Sequence, residues 1–314
     1  MEAQPEFQRI RESLPHWLET SRLTTSEGAV ATYIPELAKI QADALGIHLM
    51  NGQGEFSSAG DCGFPFTMQS VSKVFTLILA LMDRGEEEVF AKVGKEPTGD
   101  DFNSMLKLEL VEPGIPFNPL INAGAITVSS LIRGRSSQEQ SARILTFFRE
   151  LANNESLDYD EKVFESELDS GHLNRSLGYF LKHNGVLEGS VEEVLHVYFR
   201  HCSIRATCAD LARMGLVLAY DGTDPITGRN LIPRRFVQIA KTFMTTCGMY
   251  NASGEFAISV GLPAKSGVSG GILALVPGRY GIGIIGPALN EKGNSVAGVH
   301  LLQRMSRQFD WSLF

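Results

Sequence analysis

Strand-like segments at both ends of the chain, separated by a long helix-forming stretch, constrain the fold more than any other feature of this sequence. Residues 45–59 alternate apolar and polar side chains about the sequence NGQG at 51–54, which is typical of a β-hairpin. Short apolar runs at 256–262, 271–276 and 280–285 are separated by turns that contain Pro and Gly. These runs predict further strands near the C-terminus.

The other segments favour helices. Residues 66–84 repeat apolar side chains at helical spacing, and Gly85 predicts the end of that helix. Residues 88–244 are mostly helical patches between polar loops, while 7–18 and 295–309 are amphipathic. A helix is therefore expected near each end of the chain, and a predominantly helical region in the middle.

Together the patterns predict an α+β fold. An antiparallel sheet from the N- and C-terminal segments is covered by helices, and an all-helical lobe is attached to it. With 314 residues and 43% hydrophobic content, the chain is long enough to bury a substantial core. We expect one domain over residues 1–314, with a sheet-bearing lobe at about 1–65 and 245–314 and a helical lobe at about 66–244.

Charge and composition exclude several classes of partner. The chain carries 28 basic and 36 acidic residues, a net charge of -8, and no polybasic run, so neither nucleic acid nor a membrane is expected as a partner. The first residues, MEAQPEFQRIRESL, include acidic side chains where an export signal needs a basic segment followed by an apolar one. This predicts a cytoplasmic protein.

The sequence also predicts that no metal or cofactor is needed. Cys62, Cys202, Cys208 and Cys247 lack the spacing of a zinc site, and we interpret them as buried reduced thiols. Phosphate-binding, dinucleotide-binding and H-E-x-x-H motifs do not occur in the sequence. None of the seven histidines lies in a metal-binding or catalytic pattern, so structural roles are expected for all of them.

A serine and a lysine with catalytic spacing lie in the sequence SVSK at 70–73, at the start of the apolar helix. The i, i+3 spacing puts the Ser70 hydroxyl and the Lys73 amine on one helix face. A serine nucleophile needs a base, and Lys73 supplies one if burial and a second cation lower its pKa. The motif alone is weak, because 104–107 is a second S-x-x-K, which we interpret as a surface segment.

The sequence KSG at 265–267 strengthens the first match. Serine acyl-transfer enzymes of the penicillin-recognising type place K-[ST]-G on a strand beside their S-x-x-K helix, and the two motifs occur here in that order. Lys265 would be the second cation near Lys73. The strand edge would offer a backbone N–H to half of an oxyanion hole.

Five longer segments resemble the motifs of the serine-dependent glutaminases of bacteria and mitochondria, in the same order. They are FTMQSVSKVF at 66–75, NPLINAGAI at 118–126, YFRHCSI at 198–204, TCGMY at 246–250 and GLPAKSGV at 261–268. The resemblance runs from about Gly28 to the C-terminus. It implies a β-lactamase/D,D-peptidase-like fold, hydrolysis of L-glutamine to L-glutamate and ammonia through a Ser-Lys acyl-enzyme, and a homo-oligomer, a tetramer.

Position by position, the resemblance implies Ser70 as nucleophile, Lys73 as its base and Tyr250 as a proton carrier. The backbone N–H groups of Ser70 and Val268 would form the oxyanion hole. Glu167 would supply an anion for the substrate ammonium, and Asn and Tyr side chains would supply neutral donors for its carboxylate. The implied substrate-binding residues are Tyr33, Gln69, Ser70, Asn122, Glu167, Asn174, Tyr198, Tyr250 and Val268.

The sequence departs from the family pattern at two positions and leaves other functions to be weighed. Leu173 precedes Asn174 where the family usually has Arg, and Asn251 follows Tyr250 where Asp is common. A β-lactamase or D,D-peptidase, or a non-catalytic sensor on the same fold, is the alternative function. The G-x-S-x-G at 267–271 does not favour an α/β-hydrolase, because an apolar strand follows it rather than a helix.

Overall fold

The computed structural model describes residues 3–98 and 114–314. The second S-x-x-K, at 104–107, lies outside these residues. The helices of the described residues are α1 (Ala3–Arg22), α2 (Ser72–Lys92), α3 (Asn122–Leu131), α4 (Ser137–Ala152), α5 (Glu161–Ser170), α6 (His172–His183), α7 (Val191–Cys202), α8 (Cys208–Ala219), α9 (Arg234–Cys247), α10 (Ser253–Ser259) and α11 (Val296–Phe309). The strands are β1 (Gly46–Asn51), β2 (Phe56–Gly60), β3 (Phe66–Thr67), β4 (Asp158–Tyr159), β5 (Ile204–Ala206), β6 (Ala264–Ser266), β7 (Gly271–Val276) and β8 (Tyr280–Ile285).

A five-stranded antiparallel sheet joins the two ends of the chain. Its order is β2-β1-β8-β7-β6, so the N-terminal hairpin adds to a C-terminal meander through the β1–β8 pairing. The Asn51 side chain accepts hydrogen bonds from the backbone N–H groups of Gln53 and Glu55, at 3.0 and 2.9 Å, and so closes the hairpin turn. The predicted hairpin and antiparallel sheet are confirmed.

Helices cover both faces of this sheet. Along β7, Ile272 and Ala274 belong to a core shared with α1 and α11, whereas Leu273 and Leu275 belong to the core on the opposite face, where α8 packs. Glycines on β8 allow α8 to lie close. A Cβ at Gly281 would come within 2.0 Å of the Ala212 carbonyl oxygen. The amphipathic helices predicted at the two ends of the chain, α1 and α11, are confirmed.

The helical region is built around α2, in which every residue from Ser72 to Leu81 is buried. It packs against α3, α4, α7 and α9. The helix begins at Ser72, after a strand at 66–67 and a 3₁₀ turn at Gln69–Val71, rather than at Phe66 as predicted. Gly85 (φ 81°, ψ 168°) breaks the helical geometry, but the helix resumes and ends at Lys92.

Two further features differ from the sequence prediction. The apolar run at 256–262 is not a strand, because α10 covers its first four residues. Phe256 and Val260 are buried one helical turn apart while Ile258 is 89% exposed, so a helix accounts for the spacing. The helical lobe also contains a small sheet, ordered β3-β5-β4, whose strands of two or three residues are too short to show a pattern.

The head of α2 lies against the edge of the main sheet. The Gln69–Val71 turn contacts β6 and β7 of that sheet, whereas the Met68 N–H donates at 2.8 Å to the carbonyl oxygen of Ile204, on β5 of the small sheet. This junction brings the SVSK and KSG motifs together. Within residues 3–98 and 114–314, no helix is both long and apolar enough to cross a membrane.

Candidate active site

A cavity of about 590 Å³, counted to its open mouth, lies at this junction. Its lining contains seven of the nine residues that the resemblance implies for substrate binding. They are Tyr33, Gln69, Ser70, Asn122, Glu167, Asn174 and Tyr198. The remaining two, Tyr250 and Val268, line the adjoining groove, which also touches Tyr33. The fold therefore gathers residues that are up to 235 positions apart, from Tyr33 to Val268, around one opening.

The candidate nucleophile lies on a strained turn. Ser70 is buried within the Gln69–Val71 turn, and the preceding Gln69 has a φ of 48°. This left-handed conformation is uncommon for a residue other than glycine, and such strain tends to occur at functional sites. The Ser72 hydroxyl lies 2.6 Å from the Gln69 carbonyl oxygen and donates to it. A side chain that directly follows the turn thus holds its first peptide group.

Lys73 is fully buried, and burial lowers its pKa to about 8. Its Nζ donates to Asn122 Oδ1 at 2.6 Å and to the Leu120 carbonyl oxygen at 3.4 Å. The sequence led us to expect the amine within reach of Ser70. In the described part of the chain its hydrogen bonds instead go to Asn122 and Leu120, so the amine is positioned by α3 and the loop before it.

A second amine approaches from the sheet. Lys265 is fully buried on β6, and both burial and the charge of Lys73 lower its pKa well below the usual value for lysine. Its Nζ donates to the Ser266 carbonyl oxygen at 2.6 Å and lies 4.3 Å from the centre of the Tyr250 ring. Burial thus shifts both amines towards their neutral forms, and the charge of Lys73 adds to the shift at Lys265.

Tyr250 contacts both Lys265 and the candidate nucleophile. A side-chain hydrogen bond with Ser70 lowers the pKa of Tyr250, but burial raises it above the usual value for tyrosine. Tyr250 also has a positive φ, 52°, within the 3₁₀ turn Tyr250–Ala252. A neutral phenol between an amine and a serine hydroxyl is able to accept one proton while it gives up another.

Two residues expected to form the oxyanion hole, Ser70 and Val268, line the cavity and the adjoining groove. Gly267 follows β6 and lies directly on the turn that carries Ser70, and its own N–H donates to the Gly271 carbonyl oxygen at 2.8 Å. Among the described residues, neither the Ser70 N–H nor the Val268 N–H donates to a protein acceptor. Donors left without a protein partner at a cavity are what an oxyanion hole requires.

Replacing Gly267 by alanine is expected to lower kcat by about tenfold to a hundredfold, because small displacements of catalytic groups are costly. A Cβ at 267 would come within 2.7 Å of the Met68 carbonyl oxygen and push β6 away from the Ser70 turn. Gly254→Ala is the matched control, since its Cβ meets no atom within 4 Å. Equal kcat values for the two purified variants would contradict this packing argument.

The cavity lining carries one acidic side chain, Glu167. Glu167 is buried, and its Oε1 accepts a hydrogen bond from Gln69 Nε2 at 2.6 Å. Burial raises the pKa of Glu167 to about 7, while Gln69 and Lys73 oppose that shift. Glu167 is therefore charged above neutral pH and offers an anion to a bound ammonium group.

Amides and phenols complete the lining. Asn122 Nδ2 donates to Asn174 Oδ1 at 3.0 Å, so Asn174 lies at the cavity although Leu173 replaces the arginine usual before it. Tyr198 is buried, and the Lys73 Nζ lies 5.8 Å from its ring centre. Tyr33 is 56% exposed at the mouth.

Sequence reasoning missed three residues near the site. Cys202 lines the cavity, and His201 is buried between Ser72 and Ser129. The third residue is Ser72, the second serine of SVSK. The sequence signal for Cys202 and His201 was their position in the YFRHCSI segment, and the signal for Ser72 was its position in SVSK. Of the four thiols, all of which are free, Cys202 and Cys208 are buried whereas Cys62 and Cys247 are partly exposed.

Comparison with known proteins places the site in context. The family model described as Glutaminase matches residues 28–314. A glutaminase of Geobacillus thermodenitrificans is 54% identical over 304 residues, which cover 97% of this chain and 98% of that protein. Glutaminase 1 of Bacillus anthracis is 51% identical over 302 residues, with coverage of 96% and 98%.

Solved structures agree with the sequence comparison. A probable glutaminase from Bacillus subtilis superposes with a TM-score of 0.92 at 43% identity, covering 98% of each chain. A probable glutaminase from the same organism, complexed with 6-diazo-5-oxo-L-norleucine, gives a TM-score of 0.90 at 42% identity over 97% of each chain. These likenesses confirm the predicted α+β, β-lactamase-like fold.

Proposed function

The chain belongs to the glutaminase family, and we propose that it hydrolyses L-glutamine to L-glutamate and ammonia through a covalent acyl-enzyme on Ser70. The reaction itself follows from the family, which is one of amidohydrolases. The observation that most supports the proposed mechanism is the cluster behind the cavity wall: Ser70 hydrogen-bonds with Tyr250, the Tyr250 ring lies against Lys265, and Lys73 is buried one helical turn after Ser70.

In the proposed first step the Ser70 oxygen attacks the γ-carboxamide carbon of glutamine. The serine proton passes to the base and then to the amide nitrogen. The C–N bond breaks, ammonia leaves, and a glutamyl ester remains on Ser70. The N–H groups of Ser70 and Val268 would stabilise the negative oxygen of the tetrahedral intermediate.

In the second step water attacks the ester carbon and gives a proton to the same base. The bond between that carbon and the Ser70 oxygen breaks, the base returns the proton to the Ser70 oxygen, and glutamate leaves. Lys73 is the proposed base, because burial favours its neutral form and Asn122 holds its Nζ. Tyr250 is the proposed carrier, because it hydrogen-bonds with Ser70 directly. Interacting groups of this kind titrate together, so the proton belongs to the set rather than to one residue.

The proposed binding mode places the amino acid end of glutamine beside Glu167. The buried carboxylate would pair with the α-ammonium, and Asn122, Asn174 and Tyr198 would surround the α-carboxylate. The distance between this end of the cavity and Ser70 then selects the length of the side chain. Asparagine, which is one methylene shorter, would leave one end misplaced.

We expect wild-type protein to release ammonia from glutamine and to turn over asparagine about a hundredfold more slowly in kcat/KM. A chromogenic β-lactam should not be hydrolysed. Ammonia release and β-lactam absorbance on one preparation measure all three substrates. Turnover of asparagine as fast as glutamine would refute the binding mode, β-lactam hydrolysis would favour the alternative hydrolase, and no turnover at all would favour a sensor.

We also propose a domain extent, an oligomeric state and a location for the chain. The chain would act as one catalytic domain over residues 1–314, as a homotetramer and in the cytoplasm. The family resemblance supports the tetramer, and the cytoplasmic location stays a prediction.

A further inference from the structure

His201 lies at the centre of a buried polar cluster that the mechanism above does not use. It is fully buried on α7, and each ring nitrogen has a side-chain partner from another segment. Nδ1 lies 2.7 Å from the Ser72 hydroxyl at the head of α2, and Nε2 lies 3.1 Å from the Ser129 hydroxyl on α3. The histidine therefore connects the helix that carries Lys73 with the helix that carries Asn122.

The ring is neutral in this environment. Burial lowers the pKa of His201 to about 3, and the nearby charge of Lys73 lowers it in the same direction. A neutral imidazole carries one N–H and one acceptor nitrogen, so its two hydroxyl contacts must run in opposite senses. Which ring nitrogen donates and which accepts therefore depends on where the two serine hydroxyl groups direct their protons.

The Ser72 hydroxyl determines that direction. It has a single proton, and its oxygen lies 2.6 Å from the Gln69 carbonyl oxygen as well as 2.7 Å from His201 Nδ1. A proton directed at Nδ1 would leave two oxygen atoms facing each other at 2.6 Å without a hydrogen between them. A proton directed at Gln69 requires Nδ1 to donate to Ser72. Only the second arrangement satisfies both contacts.

The other ring nitrogen completes this assignment. With the proton on Nδ1, Nε2 accepts from the Ser129 hydroxyl. That hydroxyl then has no proton for the Ala125 carbonyl oxygen, 2.8 Å away, but the opposite direction would leave the shorter contact between Ser72 and Gln69, at 2.6 Å, without a proton. The Cys202 sulfur, 3.9 Å from Nδ1, is a much weaker partner than the Ser72 oxygen.

We propose that His201, as its Nδ1–H tautomer, is a positioning residue that holds the Gln69 peptide through Ser72 and thereby aligns Ser70. This inference rests on the proposed role of Ser70 as nucleophile. Gln69 needs such a hold because its φ of 48° is unfavourable for a non-glycine residue. The Gln69 side-chain amide also donates to Glu167 at 2.6 Å. Holding Gln69 therefore orients both the turn that carries Ser70 and the Glu167 carboxylate.

Paired serine variants separate positioning from a purely structural role. Ser72→Ala removes the connection between His201 and Gln69, whereas Ser129→Ala removes the other partner of the same ring and leaves that connection intact. Each variant deletes one buried hydroxyl, so both should lower the melting temperature to a similar extent. We expect Ser72→Ala to lower kcat, measured per folded enzyme, by about tenfold to a hundredfold, and Ser129→Ala to keep kcat within about twofold of the wild type.

Histidine variants supply the rescue test. An asparagine side chain places an N–H donor near the position of Nδ1, whereas phenylalanine fills a similar volume without a donor. His201→Phe should lose kcat as Ser72→Ala does, and His201→Asn should regain most of it. Equal kcat in the Ser72 and Ser129 variants, or no difference between asparagine and phenylalanine at 201, would overturn the inference.

The tautomer is measured independently of catalysis. Nitrogen-15 spectra of wild-type protein with labelled histidine should show a protonated Nδ1 and an unprotonated Nε2 for His201, assigned by loss of the signals in His201→Asn. A protonated Nε2 would refute the proposed direction even if every variant lost activity. If Ser70 proved not to be the nucleophile, the spectrum would still test the hydrogen-bond chain, so the two failures are distinguishable.

Discussion

Replacing Ser70 by alanine is expected to lower glutamine hydrolysis by about four orders of magnitude or more, because loss of a nucleophile removes the whole covalent pathway. Ser70 is buried in a turn at the cavity and hydrogen-bonds with Tyr250 through its side chain. Deleting one hydroxyl leaves the backbone N–H groups and the substrate contacts in place. Ammonia release measures activity, and a thermal melt shows that the variant is folded.

The second S-x-x-K provides a matched control for this experiment. Ser104 is followed by Lys107 at the same spacing, but this S-x-x-K lies outside the five segments that resemble the family's motifs. Ser104→Ala should therefore retain wild-type activity. Glutamine turnover that survives in a folded Ser70→Ala protein would mean that the motifs report shared ancestry of the fold and that another group is the nucleophile.

Replacing Lys73 by methionine is expected to lower kcat by about a thousandfold, within the range usual for loss of a general base. Methionine has a similar length and fills the same buried space. Burial already disfavours the protonated amine, so the variant loses little stabilising charge. Steady-state kinetics on glutamine, with the corresponding Lys107→Met as control, measures the effect.

The pH dependence gives the same prediction a second readout. A base must be unprotonated, and the pKa of Lys73 is about 8, so kcat of the wild type should rise between pH 7 and pH 9. Glu167, with a pKa of about 7, must be ionised to bind the ammonium, so KM should rise below pH 7. Lys73→Met should lose the rise in kcat and keep the change in KM. A variant that keeps the rise in kcat would indicate that Tyr250 with Lys265 is the base.

The site depends on contact between two parts of the chain that are distant in sequence. Ser70 and Lys73 belong to the head of α2, whereas Lys265 and Val268 come from β6 and the turn after it. Gly267 permits the close approach of these parts, since a side chain there would collide with the Met68 carbonyl oxygen. The same approach buries both amines, and burial is the cause of their lowered pKa values.

Local patterns predicted much of the fold because they reflect local physics. The hairpin at 45–59 and the helix at 295–309 carry turn residues and apolar periodicity that few other structures accommodate. The run at 256–262 was misjudged, since a short alternation of apolar residues also fits positions one helical turn apart. Its helix depends on packing of Phe256 and Val260 against the sheet core, which is a tertiary effect.

The amino-acid sequence by itself determined the α+β arrangement, the family and seven of the residues that line the cavity, because long motifs and periodicity are carried along the chain. Only the tertiary structure decided how those residues act on one another. It directs the Lys73 amine to Asn122, the Ser70 hydroxyl to Tyr250 and the His201 ring to Ser72. Hydrogen-bond partners and desolvation arise when distant segments pack together, and neither is encoded in the spacing of residues along the chain.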